Sequence, residues 1–294
     1  MILTEKDTLC NRYIRKRIEK YKKNKIDLIN SEKPIGGVAV RKWLHPLLIK
    51  VLHIKSLIVG LTYEIISEEK NVVKDKTVIY AISHIGKCDL EMIYESCDLF
   101  AYVFAGDWEL MYATIDDYFL RAKGVIWIDT SDKEDRKNSF KYMTKALKQG
   151  IPIMIYPEGM WNLTENLPMM KIFPGTVQAA KECNVPVVPI AIEQVEKRFL
   201  INIGKEMCFD DIEETEAMQI LRDTLASLKW EIWEYLPREK RRDIQEDYYE
   251  KFLQERIAEF KGFNKEVIES RRYRDKTDRE IMEIKRDLEK LRNR

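Results

Sequence analysis

The chain has 294 residues and a formal net charge of +1, so it can bury one substantial core and lacks the basic excess typical of nucleic-acid binding. Its five cysteines are scattered and form no C-x-x-C pair, which favours a reduced cytosolic setting and disfavours zinc or any other metal site. No basic and apolar leader follows Met1, so we expect no signal peptide.

Residues 1–66 predict two helices, one basic and one apolar. Residues 12–25 are rich in lysine and arginine, which is typical either of a helix that touches anionic lipid headgroups or of a solvated helix face. Residues 43–66 are apolar but contain Lys50, His53 and Lys55, too many charges for a membrane span. We expect this segment to lie on or dip into one leaflet, with a core helix of the domain as the alternative.

Residues 67–210 alternate between strand and helix patterns. This predicts an α/β domain with a mainly parallel central sheet flanked by helices, and with helical N-terminal and C-terminal extensions. The predicted strands are residues 77–83, 101–105, 125–128, 151–156, 187–192 and 198–203, and the predicted helices are residues 89–96, 139–149 and 175–183. Because the loops after parallel strands meet at one edge of a sheet, we expect the functional site at that edge.

A histidine follows the first of these strands, and an aspartate comes five positions later. His84 lies at the strand end, Gly86 gives the chain freedom to turn, and Asp89 begins the next helix. A carboxylate bound to the histidine Nδ1 leaves Nε2 as a base that can take a proton from a hydroxyl. The alternative is a surface histidine near an unrelated aspartate, because so short a pattern arises often by chance.

Three further blocks follow in order. Residues 123–129 read KGVIWID, residues 156–159 read YPEG, and residues 185–190 read VPVVPI. Together with the H-x-x-x-x-D block they resemble the PlsC-type glycerolipid acyltransferases, a family that includes the 1-acylglycerol-3-phosphate acyltransferases. The resemblance covers residues 74–204, and four blocks in this order are far more specific than any one of them.

The resemblance implies transfer of a fatty acyl group from a thioester to a hydroxyl. The donor would be acyl-CoA or acyl carrier protein, the acceptor a lysophospholipid or a similar lipid, and no cofactor is implied. His84 would be the general base and Asp89 would orient it. Glu158 and Gly159 match the block near the acceptor, and Pro189 matches the block beside the donor. Gly159 as a turn residue and Pro189 as a strand-shaping residue are the alternatives.

The chain departs from the family at the positions that bind the acceptor phosphate. Thr130 and Trp161 stand where the family usually has arginine, and neither can make a bidentate contact with phosphate. Acyl transfer is therefore better supported than lysophosphatidic acid as the acceptor. Trp161 and Trp108 suit a sugar ring or a larger headgroup, with packing or a membrane-surface position as the alternative. Four basic residues nearby in sequence are candidate replacements: Arg121, Lys123, Arg136 and Lys171.

Residues 211–294 predict a charged helical region. Its last apolar residues step by three and four, like a short coiled-coil seam: Ile281, Ile284, Leu288 and Leu291. A dimerisation or regulatory tail is one interpretation, and a charged helix packed on the domain is the other. For the whole chain we expect a peripheral or monotopic enzyme on the cytoplasmic side of the cell membrane. A noncatalytic lipid-binding relative and a thioesterase remain alternatives.

Overall fold

The computed structural model describes residues 9–67, 76–86, 88–106, 111, 115–164, 167–237 and 247–259. The first described elements are helix α1 (Leu9–Ile29), helix α2 (Val38–Val59) and strand β1 (Thr62–Ile65). The later elements, in chain order, are β2 (Ile79–Ile82), α3 (Asp89–Cys97), β3 (Tyr102–Ala105), α4 (Ile115–Lys123), β4 (Val125–Trp127), α5 (Lys133–Lys148), β5 (Ile153–Ile155), α6 (Gly175–Cys183), β6 (Val187–Val195), β7 (Arg198–Ile203), α7 (Glu214–Tyr235) and α8 (Tyr248–Glu259).

The seven strands form one sheet in the order β1-β7-β6-β2-β5-β3-β4. Every neighbouring pair is parallel except β6 and β7, which form an antiparallel hairpin. The predicted α/β class with a mainly parallel sheet is therefore confirmed. All six predicted strands are present, most of them a residue or more shorter than predicted, because the outer residues of each apolar run lie in the connecting loops.

Strand β1 was not predicted, and it lies inside the segment interpreted as one continuous apolar helix. Helix α2 ends at Val59 because Gly60 adopts a left-handed conformation (φ 78°) and its amide donates to the Ser56 carbonyl at 2.8 Å. The chain then pairs Thr62–Ile65 in parallel with β7. The interpretation of residues 43–66 as one helix is thus wrong at its end, and the sheet begins before the predicted domain start at residue 67.

Each face of the sheet carries its own apolar core, because β2 points successive side chains to opposite faces. One core joins Ile79 and Ala81 of β2 to buried residues of α5, α6 and α7. The other joins Tyr80 and Ile82 to buried residues of α2 and α3. Helices thus cover both faces, as a mainly parallel sheet requires.

Helix α1 covers the free edge of strand β4. The Tyr21 hydroxyl accepts the Trp127 amide at 3.0 Å, and the buried Lys25 ammonium donates to the Trp127 carbonyl at 3.0 Å. Lys25 also pairs with Asp135 at 2.6 Å, and Lys22 pairs with Asp129 at 2.7 Å. An exposed strand edge invites pairing with other chains, and α1 prevents that here. At least these two lysines of the predicted basic segment therefore bind protein carboxylates.

Helix α8 packs on the loop after β5. Leu253 and Phe252 contact Leu163 and Trp161 in a small apolar cluster. The interpretation that a charged C-terminal helix packs on the domain is consistent with this contact. The predicted coiled-coil seam lies outside the described residues.

Candidate active site

The space at the carboxyl ends of β2 and β5, here named the crevice, is where the sheet topology predicts a ligand site. These strands are parallel neighbours, but the helices that follow them leave to opposite faces of the sheet. Helix α3, after β2, packs in the core that contains Tyr80, whereas α6, after β5, packs in the core that contains Ile79. Ligands in open α/β sheets bind where connections diverge in this way.

His84 and Asp89 meet in this crevice, as the sequence predicts. The Asp89 Oδ2 lies 2.7 Å from the His84 Nδ1. Since an ionised carboxylate only accepts hydrogen bonds, Nδ1 carries the proton and Nε2 presents a lone pair. Asp89 is buried, whereas one fifth of the His84 side chain is exposed (20%). The imidazole is thus the part of the pair that a substrate can reach.

Three further donors fix the Asp89 carboxylate. Its Oδ2 accepts the backbone amides of Ile85 at 3.0 Å and Gly86 at 3.3 Å, and its Oδ1 accepts the Tyr156 hydroxyl at 3.2 Å. Burial alone would raise the pKa of Asp89, but the neighbouring His84 and the two amides outweigh burial and hold that pKa below its usual value. Asp89 is therefore a fixed anion beside the imidazole.

Two aromatic rings border the His84 imidazole. The Tyr156 ring stacks on it with centroids 3.9 Å apart and planes 20° from parallel. The Trp161 ring stands edge-on, with centroids 6.1 Å apart and an interplanar angle of 81°. Burial and the adjacent Asp89 raise the pKa of Tyr156 well above its usual value, so its hydroxyl stays protonated and donates to Asp89. Sequence reasoning missed Tyr156, although it ends the predicted strand 151–156.

Glu158 joins two loops beneath the histidine. Its Oε1 accepts the His84 amide at 3.3 Å, and its Oε2 accepts the Met170 amide at 2.8 Å. The side chain is buried, and burial raises the pKa of Glu158 to about 7. Both side-chain oxygens of Glu158 accept backbone amides in this arrangement, and a direct contact between Glu158 and the substrate stays a prediction.

Gly159 makes the turn that follows Glu158. Its φ of 68° is left-handed, and a Cβ atom there would lie 2.7 Å from the Phe173 ring. The residue is exposed beside the crevice, so the turn interpretation agrees with the structure, while its predicted contact with the acceptor stays a prediction.

The other predicted binding residues lie at different distances from the pair. Thr130 is exposed after β4, three strands along from β2, about 14 Å away at the usual strand spacing. Lys171 is exposed directly after Met170, whose amide binds Glu158. Pro189 is buried in the middle of β6, in register with Ala81. The structure thus brings Trp161 to the histidine, keeps Lys171 near the same loop, and leaves Pro189 inside the sheet.

Two of the four candidate phosphate ligands, Lys123 and Arg121, lie away from the pair, whereas Arg136 lies beside Thr130. Lys123 is buried before β4, at the opposite end of the sheet, where it contacts His45 and donates to the Leu99 carbonyl at 3.1 Å. Arg121 on the same helix pairs with Asp117, and the Arg136 guanidinium donates to the Thr130 carbonyl at 2.7 Å. Lys123 and Arg121 therefore cannot replace the missing arginines, because they precede the strand whose carboxyl end borders the site.

The described residues contain no group of three histidine, cysteine, aspartate or glutamate side chains placed to hold a metal ion. What the arrangement offers is a partly exposed imidazole whose Nδ1 is held by a buried carboxylate and whose ring is bordered by two aromatic rings. Such an arrangement can remove a proton from an alcohol or a water molecule.

Comparisons with known proteins give a family match and a similar solved structure. Residues 65–193 match the model of the family described as Acyltransferase. Among solved structures, the chain is similar to the 1-acyl-sn-glycerophosphate (LPA) acyltransferase PlsC from Thermotoga maritima, with a TM-score of 0.55 and 14% sequence identity. That likeness covers 79% of this chain and 97% of the other. No curated protein matches the sequence.

Proposed function

The chain carries a domain of the Acyltransferase family on the fold of PlsC, and from this premise we propose that it transfers a fatty acyl group from a thioester to a hydroxyl of a lipid acceptor. The single observation that carries the mechanism is the 2.7 Å contact between Nδ1 of the partly exposed His84 and Oδ2 of the buried Asp89. The donor is acyl-CoA or an acyl carrier protein thioester, and no cofactor takes part.

In the proposed reaction, His84 Nε2 removes the proton of the acceptor hydroxyl as the oxygen attacks the thioester carbonyl. Asp89 stabilises the imidazolium that forms, because it stays ionised beside Nδ1. The tetrahedral intermediate then collapses, the carbon–sulfur bond breaks, and the imidazolium returns the proton to the leaving thiolate. A positioned base of this kind contributes about 10²–10⁴-fold to the rate.

The proposed acceptor is a lipid that an aromatic ring can recognise, rather than one held mainly by arginines. Trp161 takes the place of a family arginine and stands edge-on to His84. Trp161 also packs against Leu163, Phe252 and Leu253, so part of the wall beside the base is aromatic and aliphatic. A sugar ring or a large headgroup fits such a wall better than a bare phosphate does.

We further propose that α2 rests on the cytoplasmic surface of a membrane as a peripheral or monotopic contact. In the described part of the chain, no helix is long and apolar enough to cross a bilayer. One side of α2 nevertheless exposes large apolar residues three or four positions apart: Val40, Trp43, Leu47, Val51, Ile54 and Ile58. Such a stripe is typical of an interfacial helix.

The contacts of α2 support this orientation. Helix α2 runs antiparallel to α3, since His45 contacts Asp98 near the end of α3 and Lys55 contacts Glu91 near its start. The C-terminal end of the stripe therefore lies beside the helix end that carries Asp89. An acyl chain that leaves the bilayer there has a short path to the crevice.

A thioester-cleavage assay tests the proposal. Purified protein is mixed with a long-chain acyl-CoA, with and without candidate lysophospholipid and glycolipid acceptors, and free thiol and acylated product are both measured. Thiol release that requires an acceptor and matches product formation supports acyl transfer. Equal release without acceptor would indicate a thioesterase, and no release with either acyl-CoA or acyl carrier protein would indicate a noncatalytic lipid-binding protein.

Vesicle sedimentation tests the membrane contact separately. The double variant Leu47→Asp/Ile54→Asp places two charges on the exposed stripe without touching the core, and we expect it to lose binding to anionic vesicles. The matched control, Trp230→Asp/Tyr235→Asp, changes two exposed aromatic residues of α7, which packs on the other face of the sheet from α2, and should bind like the wild type. Unchanged binding of the stripe variant would contradict the proposed contact.

A further inference from the structure

Helix α7 lies beyond the residues that match the Acyltransferase family, yet it contacts the loop after β5 and strand β6, which both hold the segment of His84. Its Arg222 and Lys229 are the residues involved. We propose that these two cations are positioning residues for the catalytic histidine, and this inference rests on the proposed function. Neither residue touches His84, so each acts through the backbone that it holds.

The first route starts at Arg222. Its guanidinium Nε donates to the Met170 carbonyl at 3.1 Å, and its Nη2 donates to the Met169 carbonyl at 3.3 Å. The Met170 amide in turn binds the Glu158 carboxylate, which accepts the His84 amide with its other oxygen. Because Met169 and Met170 lie in a loop without regular structure, the fork geometry of arginine fixes their carbonyls where a single neutral contact would not.

The second route starts at Lys229, which is 3% exposed. Its ammonium donates to the carbonyl of Ile192 within β6 and pairs with Glu193 at 2.9 Å. The Ile192 amide donates to the Ser83 hydroxyl at 3.0 Å, and Ser83 directly precedes His84. Lys229 therefore anchors the β6 residue to which Ser83, directly before the histidine, is hydrogen-bonded.

The two routes reach His84 from opposite sides, because one passes through the loop after β5 and the other through Ile192 of β6, and β2 lies between those strands. Burying the Lys229 ammonium costs desolvation free energy, which its contacts with one carbonyl and one carboxylate only partly offset. Its presence here is consistent with a role in fixing the position of β6. The Trp233 indole donates to the same Glu193 oxygen at 2.8 Å, which completes the pairing of that carboxylate.

The kinetic test compares Arg222→Met with the wild type and with Lys145→Met. Lys145 is a matched control, since it also joins a helix to two carbonyls, those of Leu28 and Ser31, both at 2.6 Å, but away from the site. We expect Arg222→Met to lower kcat about 10- to 100-fold with KM for the acyl donor within about threefold, because small displacements of a catalytic group have effects of this size. Arg222→Lys should restore part of kcat, and Lys145→Met should keep wild-type kcat.

The test of Lys229 requires that both charges of its ion pair be removed together, because removing one partner would leave the other as an unpaired buried charge. In Lys229→Met/Glu193→Gln both charges are removed, and we expect the same fall in kcat with a folded protein, checked by circular dichroism. A double-mutant cycle then tests the route through Glu158. The fall in kcat of Arg222→Met/Glu158→Gln should be smaller than the product of the falls of the two single variants.

Inactive wild-type protein would reject the proposed function itself. Active wild type with kcat unchanged in both α7 variants, or lowered equally in Lys145→Met, would overturn the inference alone.

Discussion

Replacing Asp89 by asparagine isolates the charge of the carboxylate from its shape. The Oδ2 position accepts His84 Nδ1 and the amides of Ile85 and Gly86, so the asparagine oxygen is held there. Its amide nitrogen then faces the Tyr156 hydroxyl oxygen, which can accept as well as donate. The tautomer of His84 is thereby preserved, and only the negative charge beside the imidazole is lost.

The size of the effect follows from the difference between charged and neutral hydrogen bonds. A hydrogen bond to a charged group contributes about 1.5–3 kcal/mol and a neutral one about 0.5–1.5 kcal/mol, so the imidazolium-like transition state loses about 1–2 kcal/mol. This corresponds to a fall in kcat of about 5- to 30-fold. Loss of the base itself in His84→Ala should cost about 10²–10⁴-fold.

The assay is single-turnover acyl transfer with a saturating acyl donor, so that chemistry and product release are separated. The Asp89→Asn protein should unfold close to the wild-type temperature, because all four contacts keep a partner. A wild-type rate for Asp89→Asn would refute the role of the charge. A loss as large as that of His84→Ala would refute the argument that the asparagine keeps the tautomer.

Three more predictions concern the residues around the pair. Burial raises the pKa of Glu158 from 4.5 to about 7, so its contribution to stability is fully present below pH 4.5 and is lost as the pH rises through 7. In urea titrations, the difference in unfolding free energy between wild type and Glu158→Gln should change by about 3 kcal/mol between pH 4 and pH 8. A difference that does not change with pH would contradict the raised pKa. Trp161→Arg restores a family arginine and should raise kcat/KM for a phosphate-bearing acceptor relative to a glycolipid acceptor; an unchanged ratio would contradict an acceptor-facing position. Gly159→Ala should lower the unfolding free energy by about 1–3 kcal/mol through its left-handed φ and the close Phe173 ring, whereas an alanine protein as stable as the wild type would contradict the turn geometry.

The parts of the site that sequence reasoning predicted are local in the chain. His84 and Asp89 are five positions apart, so one strand end and one helix start were enough to bring them together. The turn at Gly159 depends only on its own backbone conformation. The Tyr156 hydroxyl contact with Asp89 joins residues 67 positions apart, and no local pattern predicts which strand lies beside β2.

Where the sequence misled, the reason is also physical. Lys123 is the first residue of the second motif block, but it precedes β4 and so lies at the other end of the strand from Thr130. Strand β1 continues the apolar pattern of α2, and only Gly60 signals the change, because glycine commonly ends a helix in this way. Arg222 belongs to no motif, and its contact with the loop at Met170 spans 52 positions.

The most direct measurement is acceptor-dependent acyl transfer by wild type and His84→Ala, with folding of both confirmed. The account predicts that the wild type forms acylated lipid and releases one thiol for each product, and that His84→Ala forms product at least about 100-fold more slowly. A His84→Ala protein that acylates the same acceptor at the wild-type rate would show that this imidazole is not the base.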